Sequence, residues 1–282
     1  MIARYYQLIF RLLPALLLAA AVCTPAHSSP EQDRATIVRY FRDRFPGIAL
    51  DQYMHGALML SADAKSQYDS IMEFPPFQGD IDRGNRMWQI PFRNGRTYAS
   101  CFPNGGGNVA GKYPYYDEKL DRVVTFEMAI NRCRRDNAEP EFDYGDPGSM
   151  GVLTAYARTL SDGSRVDIRV DSPGARRKYE ARRALYYRRI GQLNLACASC
   201  HITHAGNYFR DEILSPGLGQ TTHFPVFRGG EFLFTLHMRY QRCMEAMRAV
   251  PFAAGSEELN NLEYFHSYLS NGLPLKASVY RK

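Results

Sequence analysis

The sequence predicts a mainly α protein made of two tandem copies of one helical unit, and three features of its 282 residues point there. The first is the segment Cys197-Ala198-Ser199-Cys200-His201, which has a degraded counterpart about one hundred residues earlier. A second is a series of further matches between the same two stretches, all in one order. The third is an apolar helical stripe near the end of each stretch, stopped in both cases by a glycine.

The matches fix the repeat. Ala99-Ser100-Cys101-Phe102 corresponds to Ala198-Ser199-Cys200-His201, and Tyr113-Pro114 precedes Cys133 by nearly the distance at which Phe224-Pro225 precedes Cys243. Thr125, Met128, Arg132 and Cys133 fall in register with Thr235, Met238, Arg242 and Cys243. Leu153 and Leu160-Ser161-Asp162-Gly163 then match Leu262 and Leu269-Ser270-Asn271-Gly272. The duplicated units cover roughly residues 86–163 and 184–272.

Taken in order, residues 1–28 combine a basic start (Arg4, Arg11), a short apolar run and small residues up to Ser28, the pattern of a secretory signal. The run is too short to span a bilayer, and no other apolar segment is long enough, so no membrane span is expected. The periplasm is the expected compartment, where disulfides persist. A helix is predicted over Glu31–Arg44, with Ile37, Val38, Tyr40 and Phe41 inward and Pro46-Gly47 as its stop. Phe74-Pro75-Pro76-Phe77 and the Gly84–Gly95 region are expected to be loop and turn, with Trp88 as a packing anchor. Helices are predicted over Leu153–Leu160, Arg176–Leu195 and Glu257–Ser270, the last with Leu259, Leu262, Phe265, His266 and Leu269 on one face. The expected organisation is a signal peptide at 1–28, a haem-free cytochrome c-like domain at 29–164 and a haem-binding cytochrome c domain at 165–282.

That assignment rests on the cysteines. Two cysteines three apart followed by histidine are the attachment pattern of a c-type haem: each thiol adds to a vinyl group and the imidazole ligates iron. Zinc binding would ask for a second ligand pair, and a thioredoxin-like motif for a βαβ setting, and neither is visible. In the first unit Tyr98 stands in place of the first thiol and Phe102 in place of the histidine, so one covalent haem is expected, on Cys197 and Cys200 with His201 as an iron ligand. The surviving Cys101 is expected to pair with Cys133 in the oxidising compartment, closing a loop for which chain entropy suggests ~3–4 kcal/mol.

Cys243 is then the leftover thiol, on the helix where a cytochrome offers its distal ligand, and it is expected to ligate the iron opposite His201. Met244 and His237 are the rivals. Arg239 lies four residues before Cys243, on the same helix face. It is either an anion clamp beside the sulfur or a partner of a haem propionate or of solvent. Arg248 is a weaker candidate for the same task. The charge of +6 is compatible with an anionic substrate, while the export signal and the cysteine motif both point away from nucleic acid.

Together with Phe224-Pro225, the run Arg239-Tyr240-Gln241-Arg242-Cys243 followed by Arg248-Ala249-Val250-Pro251-Phe252 resembles the SoxA subunits of the SoxAX cytochromes of bacterial sulfur oxidation, in their single-haem form. The resemblance covers nearly all of the mature chain. It implies an L-cysteine S-thiosulfotransferase in a heterodimer with a small SoxX-like cytochrome c. Such an enzyme couples thiosulfate oxidatively to a cysteine of a SoxYZ-like carrier protein and releases two electrons. By the same resemblance Cys243 is the sulfur-bearing catalytic residue, often a persulfide, and Arg239 the substrate clamp. A thiosulfate dehydrogenase joining two thiosulfates and a non-catalytic electron carrier are the alternative functions.

Overall fold

The structure is a computed structural model that describes residues 28–230 and 232–281. The export segment expected at 1–28 lies, apart from Ser28, outside the described residues.

Helix α1 spans Pro30–Arg44 and starts where the sequence places it, because Ser29 and Gln32 form a reciprocal capping box ahead of Pro30. Ile37 and Phe41 are its buried positions, with Val38 and Tyr40 packed beside them. Although it precedes the first repeat, α1 packs on the second. Its Asp33 carboxylate takes an ion pair from Arg183 at 2.7 Å and a hydrogen bond from the Tyr179 hydroxyl at 3.1 Å, and Glu31 accepts from Tyr268. A 3₁₀ stretch over Leu50–Leu60 and helix α2 (Ala62–Glu73) follow.

Residues Gln78–Gln89 form helix α3 rather than the loop expected around Gly84. Gly84 is there for contact, not for a turn. A Cβ at this position would collide with the Val152 carbonyl and the Tyr156 side chain, so the glycine lets α3 lie close against helix α5 (Val152–Thr159). Helix α4 (Phe126–Asp136) sits between them in sequence, behind the hairpin β1 (Tyr115–Asp117) and β2 (Arg122–Val124).

The second unit runs through the same succession. Helix α6 (Pro173–Tyr187) leads into the cysteine segment, and a small hairpin follows, β3 (Tyr208–Phe209) with β4 (Glu212–Ile213). A second hairpin, β5 (Val226–Arg228) with β6 (Phe232–Phe234), precedes helix α7 (Leu236–Ala246). Helix α8 (Glu257–Leu269) comes next, and β7 (Val279–Arg281) returns to lie parallel to β5. The equivalences are local as well as topological. Thr125 and Thr235 cap α4 and α7 by accepting from Met128 N and Met238 N at 3.2 and 3.3 Å. Pro114 and Pro225 both follow cis peptide bonds. In each unit the leading helix crosses the terminal one, α3 on α5 and α6 on α8.

The two cores differ in content. In the first unit the Trp88 ring stacks on Tyr98 at 5.4 Å and on Phe102 at 5.5 Å, and Phe102 meets Phe126 at 5.4 Å. The residues that stand in the degraded motif are therefore the fill of an aromatic core. The Cys101–Cys133 disulfide is present, tying that motif to α4 across a Cα–Cα distance of 5.7 Å. Between the units lies a buried charged cluster. Arg158 of α5 stands 3.9 Å from Glu127 of α4 and 3.5 Å from Glu263 of α8, and the other Glu263 oxygen is 3.2 Å from His237 Nε2. The Tyr144 ring stacks on His237 at 4.8 Å.

Candidate functional site

Helix α6 ends at Tyr187, short of the Leu195 that periodicity suggests. The residues that follow form a strap instead. Ile190 and Leu195 pair across a turn in which Gly191 has φ +69°, and a Cβ there would run into the Met247 carbonyl at the end of α7. Gln192 N and Leu193 N then donate to the carbonyls of Arg248 and Met247, both at 3.3 Å. The approach to Cys197 is thereby fastened to the C-terminal end of the helix that carries Cys243.

Beyond the strap, Ser199–Thr203 make one helical turn that presents His201. Its Nδ1 lies 2.9 Å from the Ser215 carbonyl, which can only accept, so the proton sits on Nδ1 and Nε2 keeps its lone pair. Gln220 Nε2 also lies 2.9 Å from Nδ1, and a half-turn of that amide puts its oxygen there to share the Nδ1 proton. Burial lowers the imidazole to about 4, which keeps it in the neutral, ligating form. The His201 carbonyl accepts from Gly217 N at 2.7 Å. The Gly217 carbonyl accepts from His266 Nε2 at 2.9 Å, which leaves His266 Nδ1 to accept from the Tyr240 hydroxyl at 3.0 Å. A continuous hydrogen-bonded path therefore joins α7, through Tyr240, to the backbone of His201.

Cys243 is half-buried one turn after Arg239 on α7. Its dry surroundings push the thiol up, and the guanidinium of Arg239 pulls it down most strongly among the charges, followed by Arg228, with Glu212 opposing. The Cys243 sulfur acts in turn on Cys197 and Cys200, so the three cysteines share one site. Burial drives the Cys197 thiol up to about 12. Such a thiol is protonated and a poor nucleophile or zinc ligand at neutral pH.

The Tyr186 hydroxyl lies fully buried within the electrostatic reach of all three cysteines and has no hydrogen-bond partner among the described residues. A buried donor left open in this way marks a place that something else fills. An open imidazole Nε2, two spaced thiols, a third sulfur and this hydroxyl together fit a covalently attached haem.

The rivals of Cys243 have other tasks. Met244 is buried in the apolar core. His237 accepts from Gly255 N through Nδ1 at 3.0 Å and points Nε2 toward Glu263 at 3.2 Å in the charged cluster between the units. Arg239 makes no side-chain hydrogen bond or ion pair with the described residues and is free to take an anion. Arg242 pairs with Glu245 at 3.0 Å on the surface. Arg248 stands exposed past the end of α7 with φ +57°, and it is not among the charges that act on the Cys243 sulfur. Sequence reasoning missed Ser215, Gly217, Arg228 and Glu212, none of which sits at a telling spacing from the motif, and gave Tyr240 no role although it lies within the run that ends at Cys243.

Fold and segment define a c-type cytochrome. A family profile described as "SoxA/TsdA, cytochrome c domain" matches residues 83–166, the first of the two repeats. The L-cysteine S-thiosulfotransferase subunit SoxA of Chlorobaculum tepidum is 44% identical over 245 residues, 86% of this chain and 85% of that one. The subunit of the same name from Allochromatium vinosum is 38% identical over 278 residues, 96% and 98% of the two chains. In the crystal structure of SoxXA from P. pantotrophus, one chain superposes with a TM-score of 0.68 at 27% identity, covering 76% of this chain and 84% of its own. The chain belongs to the SoxA family.

Proposed function

We propose that this chain is the SoxA subunit of a periplasmic L-cysteine S-thiosulfotransferase, exported by a signal peptide at 1–28 and carrying one c-type haem. In this reading residues 29–164 are a haem-free cytochrome c-like domain, and residues 165–282 hold haem on Cys197 and Cys200 with His201 and Cys243 as iron ligands. The Trp88–Tyr98–Phe102 stack supports the first half, because it occupies the interior next to the degraded motif. When bound, haem supplies an electron acceptor at the sulfur site and a route to a SoxX-like partner cytochrome. The crystal structure of SoxXA is the relevant relative for that partner.

The reaction joins a thiol of a SoxYZ-like carrier protein to thiosulfate: one S–S bond forms, the thiol proton is released, and two electrons leave. This chain's residues bring the reactants together. Arg239 offers forked donors to the sulfonate end of thiosulfate one helical turn from Cys243, and its charge lowers the cost of placing an anion against the sulfur. Cys243 supplies the sulfur through which thiol and disulfide-type exchange can run. The observation that carries this reading is the clustering of Cys243, Arg239 and the two motif cysteines in one site.

Replacing Cys243 with Ser tests it. Thiosulfate-dependent modification of the carrier, followed by intact mass, is expected to disappear while the covalent haem remains. Full turnover by Cys243→Ser would overturn the assignment and favour a plain electron carrier. The mass of the purified chain is expected to show loss of the signal peptide and gain of one haem.

A further inference from the structure

The hairpins β3–β4 and β5–β6 present a surface that the reading so far leaves unused. Arg228 of β5 and Glu212 of β4 form an ion pair that joins the two hairpins, and both act electrostatically on the Cys243 sulfur. The registers show what stands beside them. Arg228 is directly opposite Phe232, and Glu212 is directly opposite Phe209. Residues directly opposite in an antiparallel pair project from the same face of the ribbon. Phe232 therefore shares a face with Arg228, and Phe209 with Glu212, so the two phenylalanines bracket the ion pair.

Both rings are exposed, Phe232 at 67% and Phe209 at 47%. Two large aromatic side chains held out beside a charged pair are costly for an isolated protein and are the composition of an interface centre. The same ion pair lies within electrostatic range of Cys243, so a segment seated on this face is held on the side of the molecule from which the sulfur is influenced.

We propose that this face, Phe209 and Phe232 with the Arg228–Glu212 pair between them, is where the thiol-bearing segment of the carrier protein docks. The proposal rests on the sulfotransferase reading. Small thiosulfate needs only Arg239 and Cys243, whereas a protein thiol needs a surface around them that grips the backbone and side chains of its segment. The rings supply the apolar contact. The ion pair supplies polar partners at the mouth, and with Arg239 it leaves a net positive charge that suits the meeting of a thiolate with an anion.

The test uses the holo-protein with its partner cytochrome, thiosulfate and a SoxYZ-type carrier. Phe209→Ser with Phe232→Ser is expected to raise the KM for the carrier and weaken carrier binding at least about tenfold, with kcat changed less than about twofold. The KM for thiosulfate, the visible haem spectrum and binding of the partner cytochrome are expected to hold. The conservative pair Phe209→Tyr with Phe232→Tyr keeps both rings and is expected to restore carrier binding, which separates docking from misfolding. An unchanged carrier KM in the serine variant overturns the proposal, as does loss of partner-cytochrome binding in place of carrier binding. Absence of any carrier modification by the unaltered protein overturns the sulfotransferase reading itself, and the docking surface with it.

Discussion

At His266 both ring nitrogens have fixed uses, one donating to the Gly217 carbonyl and the other accepting from Tyr240. Only the neutral ring can do both, and burial lowers its pKa from 6.5 to about 3. The unfolded chain therefore binds a proton that the folded one refuses over that window. His266 contributes stability in full above about 6.5, and the contribution is lost as pH falls toward about 3. Glutamine offers one acceptor and one donor without titrating. His266→Gln is expected to flatten the fall of the urea midpoint between those pH values, with His223, also lowered by burial, keeping part of the slope. The sequence identified His266 as a core histidine from its place on an apolar helix face, and it is one. Its partners were not legible, because Gly217 and Tyr240 belong to separate elements that only the tertiary fold brings together.

Among the elements, α8 and α1 were read almost to the residue, since each has a long stripe, a capping serine and a definite stop. The failures were of three kinds. Helix α3 was missed because Gly84 and the polar residues around it look like a turn, when the glycine is spent on close packing against α5. Helix α6 was extended too far because Ile190 and Leu193 continue its apolar period, although Gly191 requires a positive φ that a helix does not supply. The hairpins escaped notice because strands of two or three residues carry no measurable alternation. The strap after α6 is also where a small change is expected to be felt at the site. Gly191→Ala adds a Cβ against the Met247 carbonyl in a left-handed conformation, which is expected to cost ~1–3 kcal/mol in a urea melt. It is also expected to broaden the haem spectrum, because the end of α7 is displaced relative to Cys197.

For the molecule as a whole, the matched residues recur in matching local geometry: a capping threonine (Thr125, Thr235), a proline after a cis peptide bond (Pro114, Pro225), a positive-φ glycine after a helix (Gly163, Gly272). How the two units meet was not legible, since Glu127, Arg158, His237 and Glu263 lie far apart in sequence, three of them look like surface charges and His237 looks like a rival iron ligand. Arg158 faces two buried carboxylates, and burial raises Glu127 while Arg158 opposes that rise. Arg158→Met is expected to destabilise the protein by ~3–5 kcal/mol, because it leaves buried carboxylates without a cation. Thermal or urea denaturation checks the size of the loss.

Trp88, the single tryptophan, is buried against Tyr98 and Phe102 in the first unit, while the proposed function puts the haem chromophore on Cys197 and Cys200 of the second. Each half of the protein thus carries its own optical label without modification: ultraviolet emission from one, visible absorption from the other. Followed during a single denaturation, the two signals are expected to change together in the unaltered protein and to separate in Arg158→Met, so that the degree of cooperation between the two halves of the chain can be read as the distance between two midpoints.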